Sequence, residues 1–248
     1  MQYGIGEIFH RETKYAPGSV PEGKVSLPEP ESYKRYDGAP RVPLDEPRCE
    51  PEPSLCVLLR ARRSIRHFAD EPILKRHLSY LLWASSGISC RQGGVELRTA
   101  PSAGALYPIE TYLFAHNVES IPSGIYHYSV QDHQLEELKR GDFRGVLEKA
   151  GLGQPACAQA GVVFAWAGLF GRTTWKYGQR GFRYVYLDAG HIAQNCGLAA
   201  ASSGLGCCEI GAFYDDEMNG LIGLDGDDES VISISVVGQP SITRAVVP

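Results

Sequence analysis

The chain has 248 residues and a formal net charge of −5, with 43% hydrophobic and 21% charged residues. That balance suits a soluble globular protein with one substantial core, or two small domains. Net negative charge argues against nucleic-acid binding. No apolar run reaches the ~18 residues that cross a membrane. The start, Met1-Gln2-Tyr3-Gly4, lacks the layout of a signal peptide. Seven cysteines without a CxxC pair or zinc-type spacing read as reduced thiols of a cytoplasmic protein.

Residues 1–53 are an arm rich in proline, glycine and charge, and the prolines from Pro17 to Pro53 forbid long regular structure. The cluster Phe9-His10-Arg11-Glu12-Thr13-Lys14-Tyr15, with Tyr33 and Tyr36, carries more aromatic surface than a solvated tail. It favours an arm lying on the body or on a partner subunit. Residues 54–248 are the body. Ser54 caps a helix over 55–62, and Pro72 opens another over 73–86 that Gly87 ends. Residues 98–110 form an ordered loop, followed by a strand over 111–115. A hairpin pairs 124–128 with 134–138, and its His127 and His133 read as surface side chains rather than metal ligands. A helix runs from Gly141-Asp142 to Ala150, and a buried strand covers 162–167.

The stretch Arg172 to Phe213 organises the rest. Residues 181–203 are apolar almost all round, which predicts a buried central helix. Small residues at Gly190, Ala193, Gly197, Ala201 and Gly204 form a face that another helix can approach closely. Gly204-Leu205-Gly206 stops the helix, and 207–210 is a short strand. Gly211 and Ala212 then leave backbone exposed beside a flat ligand. A helix begins at Asp215, and a last strand covers 229–237. Mixed order with hairpin character gives an α+β fold.

The chain has no GxGxxG after a strand, no GxxxxGK[ST], no HExxH and no GxSxG. Arg62, Arg63, Ser64 and Arg66 form an anion-binding candidate, since guanidinium pairs well with phosphate oxygens. Asp188, His191, Gln194 and Asn195 read as hydrogen-bonded polar groups on the central helix. Cys207 and Cys208 read as inert buried thiols. Lys176-Tyr177, ahead of Arg180 and Arg183, offers either a general base or an exposed pair.

Together these motifs carry a resemblance. Arg62-Arg63-Ser64-Ile65-Arg66-x-Phe68 resembles the phosphate motif of the FMN-binding nitroreductase superfamily. Residues 101–110 (PSAGALYPIE), Lys176-Tyr177-Gly178, 180–184, Leu187-Asp188-Ala189-Gly190-His191 and Ile210-Gly211-Ala212-Phe213 are similar to SagB-type dehydrogenases. That group includes oxidases that turn peptide thiazolines and oxazolines into thiazoles and oxazoles. The likeness covers roughly 55–248, and Phe9-His10 with Thr13-Lys14-Tyr15 is similar to the arm of stand-alone members.

The resemblance implies an α+β nitroreductase sandwich, an antiparallel mixed sheet flanked by helices. It implies a homodimer with the central helix at its interface and two FMN sites there. Arg62, Arg63, Ser64 and Arg66 would hold phosphate and ribityl. Ser102, Ala103 and Gly104 would touch the flavin from the partner subunit. Gly211 and Ala212 would lie by flavin N5, and Arg244 would add a phosphate contact. Lys176 and Tyr177 would take the substrate proton. Two other functions fit the same fold: an NAD(P)H-dependent nitro- or quinone reductase, and a flavin-holding subunit of a peptide-modifying complex. A cyclase or precursor peptide would then be the partner. The arm is shorter than a peptide-binding domain.

Overall fold

A computed structural model describes residues 4–18, 28–48 and 53–241. In the arm, α1 (Ile5–Glu12) is followed by β1 (Arg41–Pro43). The body opens with α2 (Leu55–Ala61) and α3 (Lys75–Ser86). Helix α3 starts two residues later than the proline signal suggests, because Ile73 is held in a bridge to Val118. Two short strands that the sequence reading does not anticipate, β2 (Ile88–Gln92) and β3 (Val95–Arg98), pair across the turn Gly93-Gly94. Then come β4 (Ile109–Ala115), β5 (Gly124–Ser129), β6 (Gln134–Arg140), α4 (Arg144–Ala150), α5 (Pro155–Gln159) and β7 (Val162–Leu169). The last part holds α6 (Gly171–Tyr177), α7 (Gly181–Ser202), β8 (Gly206–Ile210), α8 (Asp215–Ile222) and β9 (Glu229–Gly238).

Seven strands form one sheet in the order β1-β6-β5-β4-β7-β9-β8, and every pairing in it is antiparallel. Period-two alternation sends its side chains to two cores. Leu113, Tyr126, Phe164 and Trp166 pack under α3 and α7. Tyr112, Phe114, Ile125, Val163 and Ile234 pack with residues of α4, α5 and α8. The expected α+β layering is thus the observed one. No helix among the described residues is long and apolar enough to cross a membrane.

A chain of buried charge runs through the sheet. Histidine 127 is 1% exposed, and its ring lies 2.8 Å from Glu136 and 3.0 Å from Glu110. The expectation of a surface histidine is therefore corrected: β5 lies inside the sheet, so its side chains meet neighbours rather than water. Glu110 also pairs with Arg172 at 2.5 Å. Tyr112 donates to Glu229 at 2.7 Å, and Lys34 of the arm bonds both.

Burial alone would raise the Glu110 pKa, but the hydrogen bond from His127 and the charge of Arg172 bring it down to about 2. Burial pushes His127 the other way, and the two glutamates outweigh it and raise its pKa. The stabilisation from Glu110 is therefore present above its ordinary 4.5 and lost as pH falls through about 2. That from His127 is complete below its ordinary 6.5 and lost as pH rises through its higher folded value. Glu110→Gln leaves Arg172 buried without its ion-pair partner, so it is expected to cost about 3–5 kcal/mol at neutral pH. Urea unfolding should also show less further loss in the variant than in wild type between pH 4.5 and 2.

Candidate functional site

Helix α2 ends at Arg62, and the chain then runs extended along the edge strand β8. Ser64 bridges Cys207 in parallel, and the Ile65 amide donates to the Cys207 carbonyl at 2.9 Å. The approach depends on Gly206, where a Cβ would fall 2.7 Å from Ile65 Cγ2. The Arg62 stem crosses α7 at Gly197, and Arg63 Nη1 bonds the carbonyls of Arg60 and Arg62 at 2.8 Å. Among the described residues no carboxylate pairs with Arg62, Arg63 or Arg66. Three arginines without a carboxylate partner and a serine, all within five residues of an acidic chain, have the donor chemistry that a phosphate site needs.

From Cys207, β8 leads to Gly211 and Ala212, about 13 Å further at ~3.3 Å per residue. Both are exposed, a Cβ at Gly211 would meet only open space, and Gln154 Nε2 takes the Ala212 carbonyl at 2.9 Å. The edge of β8 thus carries the basic segment at one end and bare backbone at the other. Cys207 and Cys208 are buried, as expected of inert thiols. The neighbouring Cys196 thiol and burial keep Cys207 protonated, and burial raises Cys208.

A second cluster forms round the loop before β4. Ser102 Oγ donates to Asp188 Oδ2 at 2.5 Å and accepts from the Tyr107 amide at 2.9 Å. Gly104, Ala105 and Tyr107 have φ of 67°, 54° and 46°. For the two non-glycine residues this costs on the order of 1–3 kcal/mol each, so the surroundings must hold the loop. They do: Tyr107 OH accepts from the Arg98 amide at 3.1 Å, the Arg98 guanidinium lies 4.7 Å from the Tyr107 ring, and Arg172 bonds the Tyr107 carbonyl at 3.3 Å. Burial raises the Asp188 pKa, partly offset by the hydrogen bond from Ser102 and by His191.

Lys176 and Tyr177 close over this loop. A Cβ on Gly104 would lie 2.6 Å from Tyr177 Oη and 3.0 Å from Lys176 Nζ. Lys176 Nζ is 5.5 Å from the Tyr177 ring centroid, and Tyr177 meets Tyr184 edge-on at 4.9 Å. Ser102, Ala103, Gly104, Lys176 and Tyr177, far apart in sequence, therefore share one place. A flexible amine and a phenol at a bare glycine backbone can accept a proton from a ligand set against that loop.

Within one chain the two clusters do not face each other. Arg62 touches α7 at Gly197 and Ser102 touches it at Asp188. Those positions are nine residues apart, two and a half turns, so they lie on opposite sides of the helix and about 14 Å apart along it. Between these flanks α7 is uncovered: Leu187 is 57% exposed, and Gly190, His191 and Gln194 are exposed with it. The expectation of burial all round is corrected to burial of one side only. His191 and Gln194, read from sequence as internally bonded, are on the open side. Arg244 lies outside the described residues. The sequence reading did not assign Gln154, Asp188, Arg180 or Tyr184 to a site. Asp188 left a signal as an acid within an apolar helix, and Arg180 and Tyr184 as members of the 180–184 motif.

Residues 59–239 match the nitroreductase family, and the chain belongs to it. It is 39% identical over 166 residues to the nitroreductase homologue MJ1384 of Methanocaldococcus jannaschii, covering 67% of this chain and 82% of that protein. It is 30% identical over 166 residues to the trifolitoxin-processing protein TfxB of Rhizobium leguminosarum, covering 64% of this chain and 44% of TfxB. A nitroreductase homologue from Anabaena variabilis superposes with a TM-score of 0.79 at 26% identity, over 97% of this chain and 48% of that one. The chain therefore spans less than half of TfxB and of the Anabaena protein. The sandwich is the nitroreductase-like fold expected from the resemblance.

Gly104→Ala adds a methyl group where Tyr177 and Lys176 stand, on a backbone that disfavours a side chain. The variant is expected to lose about 1–3 kcal/mol of stability. Thermal unfolding checks this, and the Tyr177 ring should shift in a crystal structure of the variant.

Proposed function

We propose that the chain is an FMN-dependent oxidoreductase of SagB type that dehydrogenates azoline rings, thiazolines or oxazolines in a peptide. The observation that carries this reading is the convergence of Lys176 and Tyr177 on the bare backbone of Gly104. In this reading residues 54–248 are the flavin-binding body and residues 1–53 an arm. The unpaired Arg62, Arg63 and Arg66 with Ser64 fit a phosphate monoester, and the open backbone at Gly211 and Ala212 fits a flat ring beyond it. Arg244 is assigned a further phosphate contact from the resemblance alone.

Bound FMN supplies a two-electron hydride acceptor. The protein supplies the rest. Ser102, Ala103 and Gly104 form a rigid floor because Asp188 fixes Ser102. Lys176 Nζ accepts the proton from one ring carbon, and Tyr177 assists. With FMN bound, the hydrogen and two electrons of the neighbouring carbon would have an acceptor, a C=C bond would be left in the ring, and O2 would reoxidise the flavin.

The opposite flanks of α7 support a homodimer. A second copy on the open face of α7 would bring its Ser102–Lys176–Tyr177 cluster towards the Arg62–Ala212 edge of the first, completing two equivalent sites. TfxB is a processing protein more than twice the span matched here, which supports a cyclase or precursor peptide as partner. It equally keeps open a flavin-holding role within a peptide-modifying complex. MJ1384 and the Anabaena protein favour the second reading, an NAD(P)H-dependent nitro- or quinone reductase.

Lys176→Ala is expected to keep bound flavin and lose about 10²–10⁴-fold in oxidation of a synthetic thiazoline peptide. Unchanged turnover would contradict the assigned role. Under nitrogen, flavin in the protein should stay oxidised with NADPH and bleach with the thiazoline peptide. Rapid bleaching by NADPH with fast nitro-compound turnover would instead select the reductase. Replacing Arg62 and Arg66 together by alanine should release flavin on desalting.

A further inference from the structure

We infer that the N-terminal arm belongs to the site: it braces the short segment that carries Lys176 and Tyr177 and so positions that pair. The inference rests on the proton-accepting role proposed above for Lys176.

Helix α6 has only seven residues and ends at Gly178, whose φ of 56° and ψ of −145° interrupt the path into α7. Two helical turns bounded by such a break have little stability of their own, so outside contacts must set their position. The arm contributes contacts on both sides of the break. At the start of α6, buried Arg172 donates from Nε to the Glu31 carbonyl at 2.8 Å while its Nη1 pairs with Glu110.

Beyond the break, Arg180 Nη1 donates to the Thr13 carbonyl at 2.7 Å, and its guanidinium stands 4.5 Å from the Tyr15 ring. Arg183 Nε donates to Thr13 Oγ1 at 2.6 Å, its Nη2 bonds the His10 carbonyl, and the group lies 5.7 Å from the Phe9 ring. Thr13 is buried, although α1 just before it buries no residue. Both arginines thus hold the arm at its buried threonine.

The same contacts lead to the pair. Arg180 Nε donates to Tyr184 Oη at 2.8 Å, and the Tyr184 ring packs edge-on against Tyr177 at 4.9 Å. Tyr15 joins the group: its partial burial and the neighbouring Tyr184 raise its pKa. The path runs from Thr13 through Arg180 and Tyr184 to Tyr177, which stands with Lys176 over Gly104. Neither Arg180 nor Arg183 has a carboxylate partner among the described residues; the arm's His10, Thr13 and aromatic rings, with Tyr184, orient them.

The test uses the full chain with Arg183→Gln and, separately, Thr13→Val, both away from the proposed flavin contacts. Three quantities are read: protease sensitivity of residues 1–18, the rate at which Lys176 is acylated by an amine-reactive ester (by mass spectrometry), and the pH profile of thiazoline-peptide oxidation. Flavin content and reduction by dithionite should match wild type. The arm should become protease-sensitive, and Lys176 acylation should change several-fold. The pH profile should shift, and kcat should fall about 10- to 100-fold, as expected for a misplaced reacting group. Arg183→Lys should restore part of each.

An arm that stays protected shows that Arg183 and Thr13 are not its anchors. A released arm with Lys176 acylation at the wild-type rate shows that the arm does not position the pair. Either result overturns the inference. Lysine acylation reads the bracing without turnover, so a failed oxidation assay bears on the proposed reaction and leaves this result independent.

Discussion

The buried ion pair between Arg172 and Glu110 ties the sheet to everything functional. Glu110 sits at the start of β4, near the middle of the sheet, and His127 and Glu136 extend the network to β5 and β6. Arg172 spends its other donors on the Tyr107 carbonyl of the strained loop and the Glu31 carbonyl of the arm, and it stands in the first turn of α6. One guanidinium therefore fixes the loop, the arm and the helix carrying Lys176 relative to the sheet. A planar group with several rigidly placed donors suits that position better than a lysine ammonium. Its isolation from water is tolerable because the partner charge lies 2.5 Å away.

A second constraint is the asymmetry of α7. Its buried side supports one core through Val185, Ile192 and Cys196, while Leu187 and its neighbours remain uncovered. An exposed large aliphatic beside Gly190, on a helix this apolar, suits close approach by another helix. Because the basic edge and the Lys176 cluster lie on opposite flanks of this face, the proposed flavin site is incomplete in a single chain. Stability and chemistry would then depend on the same association.

The layers of the fold were legible because they follow from periodicity. The alternation of β9, the continuous apolar run of β7 and the long apolar run of α7 each carry a local signal. Helix ends were less so: Ile73 looks helical after Pro72 but is recruited into a bridge to Val118. For the candidate site, Arg62–Arg66 and Gly211-Ala212 were visible as residue types with a chemical bias. That Gly104 lies beneath Lys176 and Tyr177 was not visible, since it depends on a tertiary approach across more than seventy positions. The arm contacts were legible only in part: the aromatic cluster with Phe9 and Tyr15 signalled a docked arm, and those rings meet Arg183 and Arg180, but their polar partners left no signal. His10, Thr13 and Glu31 offer backbone carbonyls, which any residue carries, so no side-chain pattern announces them. His127 misled in the opposite direction, because a hairpin histidine looks exposed until β4 covers it.

The most direct test of the account is complementation between two inactive variants. One carries Arg62→Ala with Arg66→Ala, the other Lys176→Ala; they are mixed under conditions that exchange subunits, and mixed dimers are verified by native mass spectrometry. If each site takes its basic edge from one copy and its Lys176 cluster from the other, a mixed dimer has one site with both defects and one with neither. Thiazoline-peptide oxidation should then return, to at most about half the wild-type activity per mixed dimer. Verified mixed dimers that remain inactive would contradict a site shared between two chains.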